Sequence, residues 1–110
     1  MNREEIIKKA KSAAFRKANG QVLRTINILR EKYNQLELVQ SVLTESGVDV
    51  GEFVDAINFL SLEQYIKIRR ISDRSEVDIA DISFKDCEAK LTAKGIRLIA
   101  GGASDDMIEV

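Results

Sequence analysis

The chain has 110 residues, of which 45% are hydrophobic and 32% charged, and its formal net charge is −1. A chain of this length supports one domain with a single hydrophobic core. It has no histidine and one cysteine, Cys87, which excludes an internal disulfide and removes most zinc sites, histidine acid–base devices and the usual catalytic triads. We therefore expect a protein that is not an enzyme and that holds no metal and no cofactor.

Two further absences bear on localisation. No window of eighteen apolar residues is present, and the charged start MNREEIIKKAK is not followed by the apolar run of a secretory signal. Together with the single cysteine, this pattern predicts a cytoplasmic protein without membrane contact.

Charge is distributed unevenly along the chain. Residues 1–33 carry nine Lys/Arg and three Asp/Glu, a balance of +6, whereas residues 34–110 carry eight and fifteen, a balance of −7. Such asymmetry is typical of a protein with one end that faces nucleic acid. The alternative is a solvated basic helix that docks on an acidic body, and both interpretations stay open at this point.

The first half of the chain predicts three helices. Residues 3–18 form a basic helix with a thin alanine-rich stripe, which ends at Asn19-Gly20. Residues 21–33 carry apolar residues at helical spacing and form the core helix, and Asn34-Gln35 is a break. Residues 36–46 form the third helix, which ends at Ser46-Gly47.

The second half predicts a helix followed directly by a hairpin. Residues 50–62 form a helix, with Asp49 as its N-cap and Glu52 completing a capping box. The alternating run 65–71 is a strand, 72–86 is an acidic wing, and 86–91 is the returning strand. Thr92 caps a short closing helix. The predicted organisation is a basic N-terminal helix (1–19), a winged-helix domain (20–101) and a loose acidic tail (102–110).

The periodic positions predict the core. Its expected members are Ile26, Leu29, Val39, Val42, Phe53, Ile57, Leu60, Ile66 and Ile68. Phe59 and Leu62 fall on the opposite side of their helix. Either the helix ends near Leu60 and both fold back onto the strand, which we favour, or they form an apolar patch that the N-terminal helix or a partner covers.

These elements resemble a known family. The helix–turn–helix followed by a hairpin, the run FVDAINFLSLEQYI and the ending LTAKG are similar to winged-helix proteins of bacteria and phages, most of all to small YjcQ-like, phage-associated proteins. The resemblance covers residues 21–101 and depends mainly on core positions. The glycine usual before the first wing strand is here Gln64. The resemblance implies a mainly α protein with a small antiparallel β-hairpin (α+β), a winged helix-turn-helix with an extra N-terminal helix.

The resemblance also implies binding of double-stranded DNA, with the second helix of the motif in the major groove. That helix has Asp49, Glu52, Asp55 and Glu63 but no Lys or Arg, so the usual contacts do not transfer to it. We expect the backbone contacts to come from other residues. The candidate DNA-binding residues are Lys8, Lys9, Lys11, Arg16, Lys17, Lys67, Arg69 and Arg70 for phosphates, with Asn58 and Gln64 for bases.

Two functions therefore stay open. The first is a DNA-binding transcriptional regulator or phage-related protein, and the second is a winged-helix module that binds proteins without reading DNA. Phe59 and Leu62 are the candidate partner interface. A homodimer in which they meet the N-terminal helix of the other copy is the expected assembly.

Overall fold

The computed structural model describes residues 2–80 and 82–110, which form four α-helices and one three-stranded antiparallel sheet. The elements are α1 (Arg3–Asn27), β1 (Asn34–Gln35), α2 (Leu36–Glu45), α3 (Val50–Leu62), β2 (Ile66–Arg70), β3 (Cys87–Leu91) and α4 (Ala93–Ile99). β3 lies in the middle, in the order β1-β3-β2. The predicted class, mainly α with a small antiparallel β-hairpin (α+β), is confirmed, and β1 adds a third strand to the hairpin. β1 was expected to be only a break between helices.

α1 is one continuous helix, so the predicted stop at Asn19-Gly20 is wrong. Both residues lie inside the helix and are buried. A Cβ at position 20 would overlap the carbonyl oxygen of Glu109, and the Asn19 side-chain amide donates to the carbonyl of Met107 at 3.0 Å. The Asn-Gly pair therefore serves the close approach of the C-terminal tail. The basic segment 3–18 is continuous with the core helix.

α1 also ends earlier than predicted, at Asn27 instead of residue 33. The Asn34 side-chain amide donates to the carbonyls of Ile26, Leu29 and Lys32 at 3.4, 3.3 and 3.1 Å. These bonds satisfy carbonyls at the helix end and hold residues 28–33 in a turn. The chain then enters β1 and pairs with β3.

Seven of the nine predicted core residues are buried: Ile26, Val39, Phe53, Ile57, Leu60, Ile66 and Ile68. The prediction is wrong for the other two, since Leu29 is 48% exposed and Val42 is 51% exposed. Leu29 lies two residues beyond the end of α1, and Val42 lies on the outer side of α2. Helical periodicity marks an apolar stripe, but it does not establish that the chain itself covers the whole stripe.

The turns around α3 follow from local chemistry. Gly47 has φ +89°, and the predicted capping box of α3 is present, with Asp49 accepting from the Glu52 N–H at 2.8 Å. At the other end Gln64 has φ 64°, and the N–H of Tyr65 donates to the carbonyl of Leu60 at 2.9 Å. This is a Schellman-type end with glutamine in the left-handed position that glycine usually takes.

The wing between β2 and β3 is mostly exposed but is attached to the body. Phe84, in a short 3-10 turn at Phe84–Asp86, packs edge to face on Phe53 with ring centroids 5.4 Å apart. Arg69 and Glu76 form one isolated β-bridge. α4 begins after Thr92, which caps it as predicted by accepting from the Gly95 N–H at 3.2 Å.

The C-terminal tail is docked, which corrects the expectation of a loose segment. Ile108 is 5% exposed, and the N–H of Glu109 donates to the carbonyl of Arg16 at 3.1 Å. The Tyr65 hydroxyl donates to the Asp105 carboxylate at 2.6 Å. Residues 105–109 thereby join α1 to the start of β2. In the part of the chain that the structure describes, no helix is long and apolar enough to cross a membrane.

Candidate nucleic-acid interface

The first half of α1 carries the largest group of candidate cations. Residues 2–14, here called the N-terminal arm, are exposed throughout except for a half-buried Ser12. The helix is anchored just beyond them, where Phe15 packs edge to face on Phe59 with ring centroids 5.3 Å apart. The molecule accordingly measures 50 × 31 × 24 Å along its principal axes.

The five candidate cations in the first half of α1 are available for binding an anion. Lys8, Lys9, Lys11 and Lys17 are exposed and Arg16 is half-buried. None of the five forms an ion pair with a carboxylate in residues 2–80 or 82–110. An unpaired surface ammonium keeps its full capacity to bind a phosphate.

A second cluster lies on the outer face of the sheet. Lys67 of β2 is directly opposite Lys90 of β3, and each ammonium lies 6.0 Å from the centre of the Tyr33 ring. The Arg69 guanidinium stacks over the same ring at 3.5 Å, and its Nε donates to Glu88 at 2.8 Å. We call these five residues the sheet-face cluster. With three cations and one carboxylate, its net charge is +2.

The other predicted β2 cation, Arg70, lies apart from this cluster. It is at the end of the strand, where Nη1 approaches the Asp73 carboxylate at 3.5 Å. Hydrogen bonds from the Ser75 hydroxyl and N–H lower the pKa of Asp73, and the charge of Arg70 adds to this. Arg70 therefore has a local partner in the wing.

The two candidate base-reading residues are in different settings. Asn58 is half-buried in α3, whereas Gln64 is exposed at the left-handed position after the helix. Gln64 lines a cleft of about 480 Å³ together with Lys67 and Lys94. The structure thus brings Gln64 and Lys67 to one cleft.

α3 itself is acidic. Asp49 and Glu52 are engaged in its capping box, Asp55 is exposed, and Glu63 approaches Lys94 at 3.9 Å. No Lys or Arg lies within the helix. This distribution opposes insertion of α3 along a polyanion.

The candidate partner residues Phe59 and Leu62 differ in their exposure. α3 continues to Leu62, so the favoured expectation that it ends near Leu60 is wrong. Phe59 is half-buried against Phe15 of α1, in agreement with the alternative in which the N-terminal helix covers it. Leu62 remains 69% exposed.

Sequence reasoning missed Tyr33 and Lys90 as site residues. Tyr33 falls within the predicted core helix 21–33, and Lys90 is not among the candidate DNA-binding residues named from the sequence. The alternation in CEAKL places Lys90 on the outer face of β3. The pairing with Lys67, however, depends on a hairpin register set across a sixteen-residue wing, from 71 to 86.

The site has no feature of a metal centre or a reactive thiol. In residues 2–80 and 82–110 no three His, Cys, Asp or Glu side chains are grouped to hold a metal ion. Burial raises the pKa of the Cys87 thiol, which disfavours the nucleophilic thiolate.

Comparison with known proteins assigns no family to the chain, because no family model, curated protein or solved structure matches it. Any function assigned to the chain therefore depends on the geometry of the site.

Proposed function

We propose that the protein binds double-stranded DNA through the phosphate backbone, as a bacterial or phage-type winged-helix regulator. The contacts come from the cations of α1 and the sheet-face cluster, and α3 does not supply the main affinity. The observation that carries the proposal is the juxtaposition of Lys67 and Lys90 on adjacent strands.

Like charges directly opposite each other on a sheet are destabilising. The one carboxylate of the cluster, Glu88, is already engaged by Arg69. A bound phosphate between Lys67 and Lys90 would offset their repulsion, and Tyr33 closes one side of the site. This favours a polyanionic ligand over an apolar one.

The α1 cations support the same ligand class. They lie on an exposed helix, and five of them occur within ten residues, 8 to 17. Each ammonium or guanidinium at a phosphate releases a counterion, so the affinity falls as the salt concentration rises. The protein needs no base-specific contact for this binding.

The experiment measures binding of a mixed-sequence duplex by fluorescence anisotropy across a range of salt concentrations. We expect Lys67→Gln with Lys90→Gln to reduce the slope of log K against log salt by about two, since each lost phosphate contact removes about 0.9. Neutralising the five α1 cations should reduce it by up to about five by the same rule. Lys85→Gln, an exposed wing cation outside both groups, is the matched control and should leave the slope unchanged.

A second candidate function is a protein-interaction module that reads no DNA. The acidic α3 and the exposed Leu62 favour it. If the parent fails to bind duplex even at low salt, the DNA proposal is wrong and this second function takes its place. If all variants bind as the parent does, the cations are solvated surface.

A further inference from the structure

An apolar groove lies between the end of α1 and the outer side of α2. Its large side chains are strongly exposed: Ile28 at 75%, Leu38 at 62%, Val42 at 51% and Leu29 at 48%. The groove has a volume of about 170 Å³. Two of these residues, Leu29 and Val42, follow a core-like periodicity, but the chain covers only about half of each. A contiguous exposed apolar surface of this kind is typical of a binding site.

The N-terminal arm has a complementary apolar stripe. Ile6 is 55% exposed and Ile7 is 45% exposed, and Ala10 and Ala14 continue the stripe along the helix. Lys8 and Lys9 point away from it, because each is more than about 100° from the Ile7–Ala10 direction around the helix. Because the arm is exposed, its apolar stripe is left in water, and burial of the stripe against a partner would stabilise the arm.

The stripe and the groove lie at opposite ends of the same helix. When two copies of α1 lie antiparallel, the arm of each therefore reaches the groove of the other. In this arrangement the stripe positions pair in one register, in which the two residue numbers of every pair add to 35. The pairs are Ile7 with Ile28, Ala10 with Thr25, and Ala14 with Gln21.

Charge supports the same arrangement. α2, which forms one wall of the groove, carries Glu37 and Glu45 and no cation. The arm carries four cations and two carboxylates, a balance of +2. On the α2 side of the groove the arm therefore meets residues of opposite charge, and Lys8 and Lys9 stay free on the other side of the arm.

We infer that the groove receives the N-terminal arm of a second copy of this chain, in a symmetric antiparallel dimer of α1. The two arm–groove contacts are identical and close on each other, as a two-fold axis requires. The inference does not depend on DNA binding. The sequence predicted that the N-terminal helix of one copy meets Phe59 of the other. Here the arm meets the groove residues instead, because Phe59 is already packed on Phe15 of its own chain.

Cysteine cross-linking tests the register directly. Two single variants, Ile7→Cys and Ile28→Cys, are prepared separately and then mixed under mild oxidation. Both positions are exposed, and the native Cys87 is buried, so it does not compete. We expect disulfide-linked dimers in the mixture only. In a dimer of either variant alone, the cysteines of the two copies lie about 31 Å apart, because positions 7 and 28 are separated by 21 residues at 1.5 Å each.

The matched control mixes Lys9→Cys with Ile28→Cys, because Lys9 is on the arm but on the opposite side from the stripe. This mixture should give no linked dimer. Linkage within a single variant, or equal linkage with Lys9→Cys, would overturn the antiparallel register.

Sedimentation equilibrium tests the assembly without cysteines. We expect the parent to be a dimer at micromolar concentrations, and we expect Leu38→Glu and Ile7→Glu to be monomers. Leu62→Glu, at an apolar position that is at least as exposed as Leu38 and Ile7 but lies outside the groove, should remain dimeric. A monomeric parent at the highest soluble concentration, or a dimer that survives Leu38→Glu, would overturn the inference.

Discussion

Gly20 illustrates how a single residue can mislead a local interpretation. An Asn-Gly pair after an alanine-rich helix is typical of a helix end. Here the glycine is inside α1 because the backbone of the tail crosses the helix at that point, where a side chain would overlap Glu109. The Arg24 side chain also donates to the Glu109 carbonyl, at 3.0 Å. The requirement comes from a segment about ninety residues away, so no local pattern could predict it.

The first prediction at this scale concerns Gly20→Ala in two backgrounds. Within an exposed helix the change stabilises by about 1 kcal/mol, because alanine has the better helix propensity. In the full chain, overpacking against the tail should reverse the sign and destabilise by about 1–3 kcal/mol. In a chain that lacks residues 103–110, the change should stabilise. Urea unfolding of the four proteins measures both effects, and stabilisation in both backgrounds would show that the tail does not pack there.

Other residue-scale features were predictable because their chemistry is local. Asp49 and Thr92 act as N-caps in agreement with the sequence, since a cap needs only its own side chain and an N–H three residues later. Gln64 differs: its left-handed conformation is held by the turn and by the Thr92 hydroxyl, which donates to the Gln64 carbonyl at 2.6 Å. That partner is 28 residues away.

At the scale of elements, periodicity predicted α2, α3 and most of the core, but it divided α1 into two helices. It assigned Ile57 and Leu29 the same role, yet Ile57 is fully buried and Leu29 is 48% exposed. We therefore expect Ile57→Ala to cost about 2–5 kcal/mol, as large-to-small changes in a core do. Leu29→Ala should cost less than about 1 kcal/mol, because about half of its side chain is already in water.

Thermal melts at low protein concentration, which limits association between copies, separate the two cases. Val39→Ala is a buried control on α2, the same helix that carries the exposed Val42. Equal losses for Ile57→Ala and Leu29→Ala would contradict the placement of Leu29 outside the core.

The candidate site was predictable only in part, also for a reason at this scale. The cations of α1 and the outward-facing Lys67 follow from the local pattern of one helix and one strand. The sheet-face cluster requires three segments, because Tyr33 precedes β1 while Lys67 and Lys90 come from β2 and β3. Long-range register of this kind depends on tertiary pairing, which no local sequence pattern reveals.

At the scale of the whole molecule, the tail links the ends of the fold. Tyr65 begins the hairpin and Asp105 belongs to the C-terminal segment, and their 2.6 Å hydrogen bond joins the two. Burial of Tyr65, with smaller contributions from the hydrogen bond and charge of Asp105, raises its pKa to about 12. The protonated phenol is thus favoured in the folded state.

The last prediction concerns how the free energy of unfolding depends on pH. A folded-state pKa of about 12 exceeds the unfolded value of about 10, so the unfolded chain loses its proton first as the pH rises. The stability that the phenol contributes is complete below pH 10 and is lost progressively between about pH 10 and pH 12. The free energy of unfolding should therefore fall more steeply in this window for the parent than for Tyr65→Phe. Asp105→Asn should keep part of that difference, because burial is the largest single cause of the raised pKa. Parallel curves for the parent and Tyr65→Phe would mean that the phenol is not held in the docked position, and that the tail does not close the fold at this point.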